Sequence, residues 1–262
     1  MTRPPLTSRA SRPTRAPEQA RPPHVRLMLG YAALSGVHLL FLLTGPKLGA
    51  ELTKPLLMLA LAAAVRYGPA APRLLLGALL ASCAGDLFLI FGGNLFLVGM
   101  GGFAVAHVCY VTRFVRDGAL RDRGRLLRTG APYAVVWAVL ITMLWPDLDA
   151  GLRIPLAGYS LLLTATAVTS ACAGPRTGLG GGLFLVSDSL IASGLAHWPQ
   201  LPAAGFWVMS TYLTAQYLLA TGIVRRANEG TTEDDDRAQS ARSTTTGAWS
   251  EAPLPLRASR ST

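Results

Sequence analysis

Residues 73–91 read "RLLLGALLASCAGDLFLIF", and this stretch decides the fold. It is an apolar run of the length that crosses the hydrocarbon core of a bilayer as a helix, about 20 residues. A soluble helix of this length would carry a polar face, whereas the only charged side chain here after Arg73 is the carboxylate of Asp86. Because an unpartnered charge in such a run costs several kcal/mol, Asp86 is expected to have a partner and a function.

Similar apolar runs occur along the rest of the 262-residue chain, in which 51% of the residues are hydrophobic and 15% are charged. We predict eight membrane-spanning helices, at 25–44, 51–66, 73–91, 95–115, 131–146, 152–172, 178–196 and 202–224. Residues 1–24 and 227–262 have the polar, Pro-, Ser- and Thr-rich composition of disordered tails. The predicted fold class is therefore an all-α membrane protein, an eight-helix transmembrane bundle over residues 25–226.

The basic residues test the number of spans, because arginine and lysine collect in cytoplasmic connections. With eight spans, the arginines of the N-terminal tail, of residues 113–128 and of residues 225–226 all fall on one side. The opposite side holds little beyond Lys47 and Arg153. Both termini are therefore predicted to be cytoplasmic. The net charge of +10 indicates contact with anionic membrane lipids and not with nucleic acid.

Three ionisable side chains are predicted to lie near the middle of the bilayer. At ~1.5 Å per helical residue, Asp86 lies roughly 20 Å and Asp188 roughly 15 Å from the cytoplasmic ends of their helices. His107 lies roughly 18 Å from the outer end of its own helix. Two carboxylates and a histidine at similar depth suit acid–base chemistry, so we expect all three to line one cavity.

Neighbouring polar residues share helical faces with these three. They lie four residues apart, or three apart in one case, which places each pair on one stripe of its helix. The pairs are Ser82 with Asp86, His107 with Tyr110, and Tyr212 with Gln216, while Ser187 flanks Asp188. Four of the predicted helices thus each present a polar face, and we predict that these faces meet.

Several of the other polar residues also have structural interpretations. A single histidine or glutamine inside the membrane, such as His38 or Gln216, is often a hydrogen-bonding link between helices. Lys54 could extend to the membrane surface and pair with Glu51. The cysteines form no CxxC pair and read as small core residues, so neither a disulfide framework nor a thiolate metal site is predicted.

Five ordered motifs give the chain a family resemblance. They are "TKPLL" at 53–57, "GDLFL" at 85–89, "FAVAHVCY" at 103–110, "GGLFLVSDSLIA" at 181–192 and "TYLTAQYLL" at 211–219. This set resembles the YhhN-like integral membrane family, whose characterised members are lysoplasmalogenases. The resemblance covers about residues 27–225, and the first, fifth and sixth spans match only in being hydrophobic.

The resemblance implies hydrolysis of the vinyl ether bond of a lysoplasmalogen, which releases a fatty aldehyde and glycerophosphoethanolamine or glycerophosphocholine. An enol ether is cleaved by protonating its β-carbon, and water then captures the resulting oxocarbenium ion. This chemistry needs a protonated carboxylic acid, a nearby anion and a held water molecule, much as in glycoside hydrolysis. Asp86 and Asp188 could supply the acid and the anion in either order.

The remaining candidates have supporting roles in this scheme. His107 could orient a carboxylate or the water, and Tyr110 and Gln216 could donate or accept supporting hydrogen bonds. Lys54 could contact the substrate phosphate, while Tyr212 and Ser187 lie on the same faces as the aspartates. No metal or other cofactor is predicted, because the chain has no HExxH pattern. The partners predicted are a lysophospholipid-type substrate and the lipids of a bacterial plasma membrane.

Two alternatives from other classes remain open at this stage. In a proton-coupled transporter, Asp86 and Asp188 would form a proton relay. In a non-catalytic lipid-binding protein, they would be structural polar clamps. The absence of internal repeats counts against a transporter.

Overall fold

The structure is a computed structural model that describes residues 22–250, and all of its regular structure is helical. Eight α-helices follow one another, joined by short connections. They are α1 (Pro23–Thr44), α2 (Lys47–Arg66), α3 (Arg73–Phe91), α4 (Phe96–Arg116), α5 (Arg123–Leu144), α6 (Ala150–Ala173), α7 (Pro175–Leu195) and α8 (Ala204–Ser250). Short 3₁₀ turns precede α4 and follow α5. The predicted all-α fold and the number of helices are confirmed.

Seven of the helices are long and apolar enough to cross a membrane, namely α1 to α7. Their outward faces are apolar, with Ile154 77% and Leu127 71% exposed, as expected for surfaces in contact with lipid. Helix α8 is not among these seven, since polar residues such as Thr214 and Gln216 interrupt its apolar sequence. Its crossing of the membrane stays a prediction.

Two helix boundaries differ clearly from the prediction. Helix α5 begins at Arg123 and not near residue 131, because the Asp122 side chain accepts a hydrogen bond from the backbone N–H of Arg125 and caps the helix. Helix α8 continues past residue 226 to Ser250. Residues 1–21 and 251–262, parts of the two predicted tails, lie outside the described residues, so the disorder of the tails stays a prediction.

Seven helices form a closed ring around the polar interior. Around the ring, each helix packs on the next in the order α1, α2, α3, α4, α6, α7, α8, and α8 returns to α1. Helix α5 lies outside the ring against α6, and only Leu144 of α5 is buried. This arrangement accounts for the apolar "YAVVWAVLITMLW" stretch of α5: one side packs on α6, where the Trp137 ring N–H donates to the Ser160 hydroxyl, and the other sides are exposed, as expected for contact with lipid.

The close approach of α3 and α4 positions the residue before Asp86. A Cβ atom placed on Gly102 would lie 2.8 Å from the backbone nitrogen of Gly85, and one placed on Gly85 would lie 2.7 Å from the ring of Phe103. No side chain fits at either position without moving the helices apart. Asp86 therefore projects into the ring from a backbone segment that is held tightly against α4.

Candidate active site

Asp86 and Asp188 line the same cavity inside the ring. The cavity has a volume of about 60 Å³ and receives residues from α2, α3, α4, α6, α7 and α8. Most of its wall is apolar. Its polar lining consists of Lys54, Asp86, Tyr159, Ser187, Asp188 and Tyr212. Polar faces of α3, α7 and α8 thus meet at this cavity, while the predicted polar face of α4, with His107 and Tyr110, does not line it.

Asp86 is buried and held by two partners on different helices. The Nζ atom of Lys54 on α2 lies 3.4 Å from its Oδ1 atom, and the Tyr212 hydroxyl on α8 donates to its Oδ2 atom at 2.8 Å. The ammonium group and the hydroxyl both stabilise the ionised carboxylate. Lys54 thus forms its ion pair with Asp86. The alternative interpretation of the sequence, in which Lys54 pairs with Glu51, is wrong.

Asp188 on α7 has a different environment, since no cation contacts it among the residues that the structure describes. The Tyr159 hydroxyl on α6 donates a short hydrogen bond to Asp188 Oδ2. On the other side, the same hydroxyl lies 3.2 Å from Nε2 of His107, whose Nδ1 atom lies 3.1 Å from the Thr166 hydroxyl. Asp188, Tyr159, His107 and Thr166 therefore form one hydrogen-bonded chain, which we call the Asp188 chain.

Aromatic rings separate the Asp188 chain from the partners of Asp86. The ring of Phe184 lies 4.7 Å from that of His107 and 5.4 Å from that of Tyr212, measured between centroids. Phe103 stands edge-on to Phe184 and to Tyr212. These contacts fix the orientations of His107 and Tyr212, because tilted and edge-to-face aromatic pairs at such distances are favourable.

A second hydrogen-bonded group lies one helical turn from the cavity towards the predicted cytoplasmic side. The Tyr110 hydroxyl donates to Gln216 Oε1 at 2.5 Å, and Gln216 Nε2 donates to the Ser82 hydroxyl at 3.0 Å. All three side chains are buried, and none of them lines the cavity. Their hydrogen bonds link α3, α4 and α8 on the predicted cytoplasmic side of the cavity, and their burial leaves no opening between these three side chains.

The cavity brings together Asp86, Asp188, Lys54, Tyr212 and Ser187. His107 reaches neither aspartate directly and is connected to Asp188 only through Tyr159. The Ser187 hydroxyl donates to the carbonyl of Val208, so it joins α7 to α8. Tyr110 and Gln216 lie outside the cavity, where they hydrogen-bond to one another. The catalytic roles of all these residues stay predictions.

Sequence reasoning missed Tyr159, which links Asp188 to His107. A signal for it exists in α6, where Tyr159 and Thr166 are seven residues apart and thus on one face of the helix, both towards α4. Hydrophobicity, on which the prediction of α6 rests, does not distinguish this face from the others. Within residues 22–250, no group of three or more His, Cys, Asp or Glu side chains is placed to hold a metal ion.

A wider groove leads to the cavity from the end of the ring that is predicted to face away from the cytoplasm. It has a volume of about 580 Å³ and is lined by residues of α1, α2, α3, α7 and α8. Lys54, Leu89 and Met209 line both the groove and the cavity. Lys54 therefore lies where the two spaces join.

The fold and the site together define a multi-pass membrane protein with a pair of aspartates in a cavity inside the helix ring. The sequence profile of the YhhN family matches residues 49–223, a segment that includes every residue lining the cavity. The chain belongs to the YhhN family.

Curated relatives have similar sequences over part of their length. The human protein "Lysoplasmalogenase TMEM86B" is 32% identical over 157 residues, which cover 58% of this chain and 64% of the human protein. Its rat counterpart is 34% identical over 162 residues, covering 62% and 66% of the two chains. "Lysoplasmalogenase" of Mycobacterium bovis is 31% identical over 160 residues, covering 57% and 60%. The chain thus spans less than two thirds of these relatives, and no solved structure matches it.

Proposed function

We propose that this protein is a lysoplasmalogenase that hydrolyses the vinyl ether bond of a lysophospholipid inside the membrane. The observation that carries the proposal is that Asp86 and Asp188 line one cavity with different partners, a cation for one and a phenol for the other. The names of the relatives are those of an enzyme, which does not favour a transporter or a non-catalytic lipid-binding protein.

The different partners of the two aspartates support an assignment of their roles. Asp86, beside the ammonium group of Lys54, is the carboxylate that stays ionised. Asp188 has only a hydroxyl donor on Oδ2 and an apolar wall around it, so it is the carboxyl group that carries the proton. Tyr159 and His107 position Asp188, while Lys54 and Tyr212 position Asp86.

The reaction begins when Asp188 transfers its proton to the β-carbon of the vinyl ether. The double-bond electrons form the new C–H bond, and the resulting oxocarbenium ion is stabilised by the Asp86 carboxylate. Water attacks the α-carbon and gives up a proton to Asp188, which regenerates the acid. The hemiacetal then collapses to a fatty aldehyde and a glycerol hydroxyl, so that one water molecule is consumed for each ether bond broken.

The two spaces next to the aspartates suit the two ends of such a substrate. The cavity wall is apolar where Phe96, Met100 and Leu195 line it, which suits the vinyl ether and the first carbons of the alkenyl chain. The groove has charged side chains at Lys47, Glu51 and Lys54 and can accept a zwitterionic head group. We further propose that the membrane is a bacterial plasma membrane; the strong excess of arginine over lysine is typical of a GC-rich genome, and two of the relatives are mycobacterial.

The test is aldehyde release from a lysoplasmalogen by the purified protein in D₂O. The wild type should release an aldehyde that carries one solvent deuterium at C2, because the proton is delivered to carbon. Asp188→Asn and Asp86→Asn should each reduce kcat by about 10² to 10⁴, the range for removing an acid or a stabilising anion. Asp149→Asn, which changes an exposed carboxylate outside the cavity, is the matched control and should retain full activity.

Two outcomes would contradict the proposal. Absence of aldehyde with the wild-type protein would exclude this enzymatic activity on lysoplasmalogens. Full activity of both Asn variants would exclude the assigned roles of the aspartates.

A further inference from the structure

His38 on α1 lies in the groove that leads to the cavity, and the family profile does not include it. Its side chain is 1% exposed. At ~1.5 Å per residue, His38 lies roughly 22 Å along α1 from Pro23, and Asp86 lies roughly 20 Å along α3 from Arg73. Since both helices start on the same side of the ring, the histidine and the aspartate lie at similar depths.

The hydrogen bonds of Thr53 determine which nitrogen of His38 carries the proton. The Thr53 hydroxyl has one proton and donates it to a backbone carbonyl, that of Gly49 at 2.7 Å. The hydroxyl oxygen must therefore accept from His38 Nδ1, which lies 2.8 Å away. Nδ1 then carries the proton of the neutral imidazole, and Nε2 is left with a lone pair that can only accept.

The Nε2 atom of His38 is buried and has no hydrogen-bond partner among the described residues of the chain. A buried acceptor without a donor is unfavourable, because it has lost its hydrogen bonds to water. The bond from Nδ1 to Thr53 already accounts for the role of His38 as a link between α1 and α2. The Nε2 atom has no part in that link, and a ligand with a hydrogen-bond donor could satisfy it.

The proposed substrate has such a donor next to the reacting bond. In a lysophospholipid the sn-2 carbon carries a free hydroxyl and is bonded to the sn-1 carbon that carries the vinyl ether. In the proposed binding mode the ether lies between Asp86 and Asp188 and the head group lies in the groove, which puts the sn-2 hydroxyl near Lys54, where the two spaces join. The phosphate and the amine of the head group then extend towards Lys47 and Glu51.

We propose that His38 Nε2 accepts a hydrogen bond from the sn-2 hydroxyl and thereby makes the site specific for lipids with one chain. This inference rests on the proposed function. A lipid with a second chain has an ester at sn-2, whose oxygens can only accept hydrogen bonds. Its oxygens would face the Nε2 lone pair without any proton between them, which rejects the two-chain lipid electrostatically as well as sterically.

The test uses lipids that cannot be hydrolysed, so that binding is measured apart from catalysis. One probe is a saturated 1-O-alkyl lysophosphatidylcholine, and the other is the same lipid without the sn-2 hydroxyl. Wild-type protein should bind the hydroxyl form about tenfold more tightly, as expected for one hydrogen bond to an otherwise unpaired buried acceptor.

Two variants of His38 separate ligand binding from the structural link. In His38→Asn, the side-chain amide can still donate to Thr53 but has no acceptor at the Nε2 position. Its preference for the hydroxyl probe should disappear, while binding of the deoxy probe stays unchanged. In His38→Gln, the side-chain oxygen can reach the Nε2 position, and most of the preference should return.

Equal binding of the two probes by the wild type, or a full preference in His38→Asn, would overturn the role of His38. The aldehyde assay is a separate measurement. Wild-type protein that discriminates between the probes but releases no aldehyde would refute the proposed activity and leave the binding role standing. Wild-type protein that releases aldehyde but binds the two probes equally would refute the role of His38 and leave the proposed activity standing.

Discussion

The hydroxyl group of Tyr159 joins Asp188 to His107, and it is the one group in the cavity wall that contacts both. In the proposed mechanism Asp188 loses its proton, and the hydrogen bond from this hydroxyl then stabilises the charge on its carboxylate. His107 does not line the cavity, and its hydrogen bond to Tyr159 holds the phenol in place. At the scale of single residues, we therefore propose that Tyr159 positions the acid and that His107 positions Tyr159.

Tyr159→Phe should reduce kcat about 10- to 100-fold with little change in KM, because the hydroxyl stabilises the ionised acid and not the bound substrate. Tyr31→Phe is the matched control, since the Tyr31 hydroxyl also makes a buried hydrogen bond, to the Leu213 carbonyl at 2.8 Å, away from the cavity. Both variants should lower the melting temperature similarly, and only Tyr159→Phe should lower kcat. Equal kcat values for the two would show that Tyr159 is structural.

Lys54 is predicted to stabilise the fold only as the partner of Asp86. Removing it in Lys54→Met leaves a buried carboxylate without its cation, which should destabilise the protein by about 2 kcal/mol. The double variant Lys54→Met/Asp86→Asn should be more stable than Lys54→Met, because the amide carries no charge. Thermal unfolding in detergent measures both, with the exposed Lys47→Met as control. A double variant less stable than the single one would contradict the ion pair.

At the scale of helices, the packing of α3 on α4 connects the glycines of both helices to the position of Asp86. A Cβ atom on Gly102 meets the backbone of Gly85, which cannot move without moving Asp86. A Cβ atom on Gly101, the adjacent residue of the same helix, meets no atom within 4 Å. The two glycines therefore form a natural pair for testing how tightly the helices must approach.

Gly102→Ala should destabilise the protein by about 1–3 kcal/mol and reduce activity as well, because the added methyl group separates α3 from α4. Gly101→Ala should leave activity unchanged and have a neutral or slightly stabilising effect, since alanine favours helix more than glycine does. Melting temperature and kcat of the two purified variants provide the comparison. Unchanged activity in Gly102→Ala would show that the helix contact does not control the position of Asp86.

Most helices could be predicted from their hydrophobic length, and the errors have physical causes. The start of α5 was misplaced because its arginines resemble a connection, although Asp122 provides a readable cap. The meeting of Asp86 with Asp188 followed from their similar depths. The link from His107 to Tyr159 could not be predicted, because it depends on α4 packing against α6 while α5 lies outside, and no local pattern records which helices are neighbours.

At the scale of the whole molecule, the site exists only when the ring is closed. The Asp86 carboxylate requires α2, α3 and α8, while Asp188 requires α7 with α6 and α4 behind it. Helix α8 completes the ring by packing on both α7 and α1. Its polar inward face, with Tyr212 and Gln216 buried, is the reason why its sequence is less apolar than those of the other helices.

The eighth crossing can be tested with single cysteines and a maleimide reagent that does not cross membranes. In a protein whose three native cysteines are replaced by alanine, a cysteine is placed at one of three exposed positions, Asn94, Arg121 or Gly230. Because four helices separate Arg121 from Gly230, both should be labelled only after intact cells are permeabilised. Asn94→Cys should be labelled without permeabilisation. Labelling of Gly230→Cys in intact cells, with Arg121→Cys protected, would mean that α8 does not cross the membrane and that the termini lie on opposite sides.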